Sequence, residues 1–290
     1  MGTPMGARLL AAGHTLDVYS RTPEHTAQLV LGGASVRESI RAVARDSEVV
    51  ISMLPDDKAL WEVSLADGGL IHVLEPGQIH LVMGTHSPAA IASLETAHRR
   101  AGQDLVAAPV LGRPEAAREG RLVVLVAGAD PATARCESLL GAVGERTYIV
   151  GEHPQTAAAL KLVHNFVLAC AIECLGEAAS AAKAFGLSVA LLMEVLTENL
   201  FACPAYRTYG QIIQGERYGD GGFPAALGLK DLELLVDAVG QLGVSLPSVA
   251  PAVSHLTAAI AHGQSASDWS VVACEQSNEV VPPATQLGES

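Results

Sequence analysis

Lys161 and Asn165 stand four residues apart in the stretch 156–186, TAAALKLVHNFVLACAIECLGEAASAAKAFG. An ammonium can give or take a proton at a small molecule, and an amide one helical turn later can orient the oxygen that receives it. Between Leu160 and Gly176 the only formally charged side chains are Lys161 and Glu173. A charge on so apolar a segment is costly unless it finds partners, so the lysine should sit at a cleft. The plainer alternative is a lysine near a helix start that snorkels to solvent.

The element that carries this pair reads as one long helix. Ala and Leu dominate it and no Pro interrupts it. Gly151-Glu152-His153-Pro154 forms a turn before it, and Gly186 is a C-terminal stop. Upstream, apolar runs at 15–19, 49–54, 79–83, 104–108, 122–126 and 147–150 alternate with helical patterns such as 1–13, 22–31 and 88–101. That alternation predicts a doubly wound α/β domain with a parallel sheet. Ligands of such sheets lie beyond the carboxyl ends of the strands, so the turns at Ser20, Leu54 and Gly84 should share one crevice. After Val150 the alternation stops, and helices are expected at 189–197, 206–214, 227–243 and 247–262, with a glycine-rich loop at 219–222. The expected organisation is an α/β domain over residues 1–152, an all-helical domain over 153–278 and a frayed tail over 279–290.

Composition narrows the function. The 290 residues are 49% hydrophobic and 17% charged, enough apolar material for one large or two medium domains. A formal charge of −13 repels polyanions, so no nucleic-acid partner is expected. No stretch of about 18 apolar residues is free of charge, and no basic segment precedes an apolar one near the start, so no membrane partner is expected and a cytoplasmic location is the default. The five cysteines show no C-x-x-C spacing, and Cys170 with Cys174 reads as core packing. The ten histidines are dispersed with no H-x-x-x-H, so no metal is expected.

Residues 1–13, MGTPMGARLLAAG, read as the first helix of a dinucleotide-binding unit. A complete unit opens with an apolar strand and a Gly-x-Gly turn, which lets backbone N–H groups approach a pyrophosphate. Gly2 fits the last glycine of that fingerprint, and the strand that should precede it is expected to be missing from this sequence, roughly ten residues in all.

Six segments together resemble the β-hydroxyacid dehydrogenases, the family of 3-hydroxyisobutyrate dehydrogenase, tartronate semialdehyde reductase and the glyoxylate/succinic semialdehyde reductases, with 6-phosphogluconate dehydrogenase more distant. MGTPMGARLLAAGH resembles the end of the G-x-G-x-M-G fingerprint. Ser52-Met53-Leu54-Pro55 resembles the M-L-P turn, and Gly84-Thr85-His86-Ser87-Pro88 the S-T-x-S-P turn. Ala108-Pro109-Val110-Leu111-Gly112-Arg113 stands for A-P-V-S-G-G, Lys161 to Asn165 for K-x-x-N-N, and Phe223 with Leu229-Lys230-Asp231-Leu232 for the late F…K-D-L segment. The resemblance covers nearly the whole chain. It implies a Rossmann-type domain lacking its first strand, followed by a helical domain like that of 6-phosphogluconate dehydrogenase. It also implies a cleft between them, a homodimer or homotetramer, and hydride transfer between a nicotinamide cofactor and a small hydroxy acid or semialdehyde. Lys161 would be the general acid/base, its pKa lowered by burial, and Asn165 would hold it in register with the substrate oxygen. Gly2, Ser20, Arg21, Thr22, Leu54, Pro55, Thr85 and Lys230 would bind cofactor. Thr85, Leu111, Gly112, Arg113, Phe223 and Asp231 would line the substrate site. For Asp231 the alternative is a carboxylate in the first turn of a helix.

Ser20-Arg21-Thr22 replaces the acid that NAD-preferring folds place after the second strand, and an arginine there can fork onto a phosphate, so NADP(H) is favoured over NAD(H). The chain departs from the family at Leu111, Arg113, His164 and Gly84, which leaves the substrate open; Arg113 could take a carboxylate in place of the missing serine. Two other readings stand beside this one. Imine reductases share the architecture but commonly carry Asp or Tyr where this chain has Lys161. A non-catalytic dimeric protein with a lost cofactor site is the third.

Overall fold

In the computed structural model, residues 1–219 and 222–278 are described; the expected tail 279–290 and part of the 219–222 loop lie outside them. The chain divides into two compact units within one helix, the first holding Met1–His164 with Leu234–Ser245, the second Asn165–Glu233 with the residues from Leu246 on.

The first unit opens with α1 (Gly2–Ala11), β1 (Asp17–Val18), a 3-10 turn at Pro23–His25, α2 (Ala27–Leu31), β2 (Ser35–Val36), α3 (Ile40–Ala44) and β3 (Val49–Ser52). It continues with α4 (Asp57–Leu65), α5 (Leu70–Val73), β4 (Ile79–Val82), α6 (Pro88–Arg100), β5 (Asp104–Ala107), β6 (Val110–Leu111), α7 (Pro114–Glu119), β7 (Leu122–Ala127), α8 (Asp130–Val143) and β8 (Gly144–Gly151). The expected helix at 22–31 is therefore broken. Pro23 starts a tight turn, and the Thr26 hydroxyl donates to the Pro23 carbonyl at 2.7 Å before α2 begins.

β1 and β2 form a parallel pair, and the other six strands form a second sheet. Strands β3, β4 and β5 are parallel, as expected of βαβ units, but β7 runs antiparallel to β5. The wholly parallel sheet expected from the alternation is thus corrected to a mixed one. Ala107↔Ala127, Val110↔Val124 and Leu111↔Val123 keep one register along β7, so β6 continues the line of β5 past Pro109, and the chain then reverses through short α7. Helix α8 returns it as a crossover to parallel β8.

Both faces of the sheet are covered, which is why β4 is buried at all four positions and reads as continuous apolar sequence. On one face Ile79, Leu81, Val106 and Val124 pack with Met5 and Leu9 of α1 and Cys136 and Leu140 of α8. On the other, Val82, Leu105 and Ala107 pack with Leu60, Ile91, Leu94, Ala157 and Ala158. The last two residues open α9 (Pro154–Ala184). A Cβ on Gly6 would meet Leu29 at 2.9 Å, so glycine lets α1 settle onto α2.

Helix α9, about 46 Å long at 1.5 Å per residue, is long and apolar enough to cross a membrane by length and composition alone. Its buried faces instead serve protein cores, and Lys161, Asn165 and Glu173 are buried polar residues within it. It ends as expected at Gly186. That residue adopts φ +72°, its N–H donates to Lys183 O, and Leu187 N–H donates to Ala182 O, the paired bonds of a Schellman stop.

The second unit adds α10 (Val189–Thr197), α11 (Pro204–Gly215), the start of α12 (Ala225–Gly240), α13 (Ala250–Ala261, entered through a 3-10 turn at Pro247–Val249) and α14 (Val272–Asn278). Ile172 and Leu175 of α9 pack with Tyr209, Ile213, Leu232, Leu256 and Trp269 in its core. Trp269 Nε1 donates to Tyr209 Oη at 2.9 Å, so the indole is buried without an unmet donor.

Candidate functional site

Lys161 and Asn165 lie one turn apart on α9, and both are buried, 9% and 3% exposed, which excludes the snorkelling alternative for the lysine. The apolar neighbours on the helix, led by fully buried Leu162, fix the face on which they stand.

In the second unit Asn165 Nδ2 donates to Asp231 Oδ2 at 2.7 Å, and Lys230 Nζ lies 2.9 Å from Asp231 Oδ1. Asp231 is 1% exposed and stands well past the first turn of α12, so it is not a helix-start carboxylate. Phe223 packs edge-on against Trp269 with ring centroids 5.0 Å apart, and its N–H donates to Asp268 Oδ2 at 3.1 Å.

In the first unit the residues expected to bind cofactor sit on neighbouring turns. Leu54-Pro55 follows β3 and leads into α4, which Asp56 caps by accepting from Ala59 N–H at 2.7 Å. Gly84-Thr85 follows β4 and leads into α6, which Ser87 caps by accepting from Ala90 N–H at 3.1 Å. A Cβ on Gly84 would sit 2.6 Å from Leu54 O, so these two turns touch more closely than any side chain at 84 permits. Gly2, at the N-terminus of α1, lies against Met53. Ser20 Oγ accepts from Thr22 N–H at 3.2 Å, and exposed Arg21 pairs with Glu62 of α4 at 3.1 Å. Leu111 is on β6, Gly112 takes φ +133°, which favours glycine, and Arg113 is the N-cap of α7 with Nε 3.7 Å from Glu115.

Asp57, His86 and Ser87 at these turns make contacts that the motifs in the sequence do not announce. Asp57 accepts from His86 Nδ1 (3.1 Å), from Ser87 N–H (3.1 Å) and from the Ser87 hydroxyl (2.6 Å). Burial pushes the Asp57 carboxyl up, but the His86 and Ser87 bonds outweigh it and hold the group below the usual carboxylate range. The signal available was the placement of Asp57 and His86 beside two turn motifs. Beneath the same turns, Ser52, His80, His98 and Gln103 form a buried chain of hydrogen bonds of 2.8, 3.1 and 2.7 Å. Gln103 Nε2 donates to the Leu74 carbonyl at 2.7 Å, so its oxygen faces His98 Nδ1 and both imidazoles carry their proton on Nδ1.

Known proteins resemble this chain along nearly its whole length. Residues 1–151 match the NAD binding domain of 6-phosphogluconate dehydrogenase, and residues 156–274 match the NAD-binding domain of NADP-dependent 3-hydroxyisobutyrate dehydrogenase. An uncharacterized oxidoreductase of Bacillus subtilis, YfjR, is 35% identical over 94% of this chain and 95% of its own length. The NAD-dependent L-serine dehydrogenase of Pseudomonas aeruginosa is 30% identical over 94% and 93%. Among solved structures, 3-hydroxyisobutyrate dehydrogenase of Mycobacterium tuberculosis with L-serine superposes at a TM-score of 0.85 with 25% identity, covering 95% of each chain. With both halves matched in order and relatives aligned along almost their whole length, the chain belongs to the β-hydroxyacid dehydrogenase family of NAD(P)-dependent oxidoreductases.

Proposed function

We propose that this chain interconverts a small β-hydroxy acid and its carbonyl form with NADP(H) in preference to NAD(H), and that Lys161 is its general acid/base. The observation that carries the reading is a buried lysine one turn before a buried asparagine that is itself tied to Asp231. The dinucleotide-binding domain is read as residues 1–152 and the helical domain as 153–278.

The residues of the first unit fit a dinucleotide. Two capped helix N-termini follow adjacent parallel strands, no side chain stands at Gly84, and His86 Nε2 is buried with no hydrogen-bond partner among the described residues. Gly2, Ser20, Arg21, Thr22, Leu54, Pro55 and Thr85 would hold NADP(H), which supplies the hydride when bound. Arg21 favours the phosphorylated form, because its exposed pair with Glu62 is weak enough for a phosphate to replace it.

In the reducing direction Lys161 gives a proton to the carbonyl oxygen of the substrate, and in the oxidising direction it takes the proton back. The Asn165 amide fixes the position of that oxygen, and Asp231 fixes the amide. Arg113 supplies the positive charge for the substrate carboxylate that the family's serine, here Leu111, does not. The relatives named for L-serine and 3-hydroxyisobutyrate define the substrates to screen first. Replacing Lys161 with Met should abolish turnover of any substrate so found while NADPH still binds; full activity in that variant would overturn the reading.

The second unit exposes the large apolar side chains Phe185, Leu187, Leu191, Val195 and Leu200, which burial against a second copy would cover. The chain is read as a homodimer or homotetramer through this surface, in the cytoplasm. Light scattering that gives the monomer mass would contradict the assembly.

A further inference from the structure

Gly84 departs from the ordinary S-T-x-S-P turn, His86 fills its variable position, and the structure makes the two one feature. The position that a Cβ on residue 84 would occupy is 2.6 Å from both Leu54 O and His86 Nε2. The imidazole therefore fills the space a side chain at 84 would use, and the turn after β3 presses on the same spot. His86 is 1% exposed. Its Nδ1 meets Asp57 Oδ1 at 3.1 Å, and Asp57 also accepts from the backbone and hydroxyl of Ser87. Asp57 belongs to α4, while His86 and Ser87 lead into α6, so one carboxylate ties together the two strand-to-helix turns. With Nδ1 committed as donor to Asp57, Nε2 is the ring atom left buried among the turns without a partner among the described residues.

We propose that Asp57 and His86 are positioning residues, a clamp that holds the Leu54-Pro55 turn against Gly84-Thr85 and so sets the backbone surface that receives the nicotinamide cofactor. The inference rests on the reading that these turns bind the cofactor. It makes Gly84 the counterpart of the clamp, since only a residue without a side chain lets the turns close this far. The charge-assisted bonds to Asp57 are stronger than neutral ones and act on both turns at once.

The test is a fluorescence titration of wild type and variants with NADPH and NADH, beside steady-state kinetics and thermal melting. His86→Leu removes the donor to Asp57 and should raise the Kd for NADPH about tenfold, the worth of one hydrogen bond to a charged group. It should also raise KM for NADPH by more than it lowers kcat. His86→Asn restores a donor at the position of Nδ1 and should return the Kd to within about twofold of wild type. A purely structural role predicts no such rescue without recovery of the melting temperature. Gly84→Ala should weaken binding less in the His86→Leu background than in wild type, because the released turn can move away from the added methyl.

Unchanged NADPH affinity in His86→Leu, or an asparagine variant as weak as the leucine one, overturns the clamp. Should the leucine variant fail to fold, Asp57→Asn keeps the side-chain volume and removes one acceptor. It should raise the Kd in the same direction, and unchanged affinity there is equally decisive against the clamp. A wild-type chain that binds neither nucleotide overturns the cofactor reading itself, and the clamp with it, before any variant is made.

Discussion

Asn165 Nδ2 donates to Asp231 Oδ2 across 2.7 Å between α9 and α12, with both residues buried. This bond turns an amide that could rotate freely into one with a fixed orientation, and it commits one of the two amide hydrogens. Asp231 is in turn held by Lys230 at 2.9 Å.

Removing Asp231 takes away the acceptor of the buried Asn165 amide and the carboxylate that pairs with Lys230. Asp231→Ala should lower stability by about 1–3 kcal/mol, the penalty for stranding a buried polar group. It should also lower kcat, because Asn165 loses its fixed orientation. Chemical denaturation and steady-state kinetics on the same preparation check both; a variant as stable and as active as wild type would show that the bond is incidental.

Cofactor choice is tested at Arg21. Arg21→Gln should weaken NADPH binding about tenfold while leaving NADH within about twofold, since only the phosphorylated ribose draws on the guanidinium. Glu62→Gln frees Arg21 from its surface partner and should shift affinity slightly towards NADPH. Equal losses for both nucleotides in Arg21→Gln would remove the argument for NADP(H).

Acid should destabilise the first unit through the buried His80–His98 pair. Burial, with His98 as a charged neighbour for His80, holds His80 well below the ordinary histidine value, and burial likewise lowers His98. Below the unfolded value of about 6.5 the unfolded chain binds protons that the native imidazoles refuse. Stability is then fully present at neutral pH and falls as pH drops through about 6.5 towards the depressed folded values. Buried Glu173 in the second unit acts the other way. Desolvation raises its pKa, so its contribution falls as pH rises above the ordinary carboxylate range. Urea midpoints at pH 7 and pH 5 for wild type and a His80→Asn/His98→Gln variant separate the two. The variant should lose less stability on acidification than wild type, and parallel losses would contradict the assignment.

Much of the fold is visible in local patterns, because a strand buried on both faces must be apolar throughout and a core-facing helix must be long and free of proline. Strands β3, β4, β5 and β7 and helices α6, α9 and α10 are legible for that reason. Strand direction is not carried by local pattern: nothing in LVVLVA announces that β7 runs against β5, and only the shared register of Ala107 and Val110 on β7 reveals it. β2 escapes because its two residues are exposed. At the candidate site, the placement of Lys161 and Asn165 one turn apart on one helix is legible because helical spacing is local. Asp57 and His86 are 29 residues apart and meet only through the pairing of β3 with β4, as do His80 and Ser52.

The role proposed for Lys161 as the proton donor and acceptor is tested most directly by turnover of a small β-hydroxy acid with NADP(H) by wild type and Lys161→Met, with NADPH affinity measured alongside. That role predicts a loss of kcat of at least about a hundredfold, the usual worth of a general acid/base, with NADPH affinity within about twofold of wild type. A Lys161→Met enzyme that turns over at the wild-type rate would contradict it.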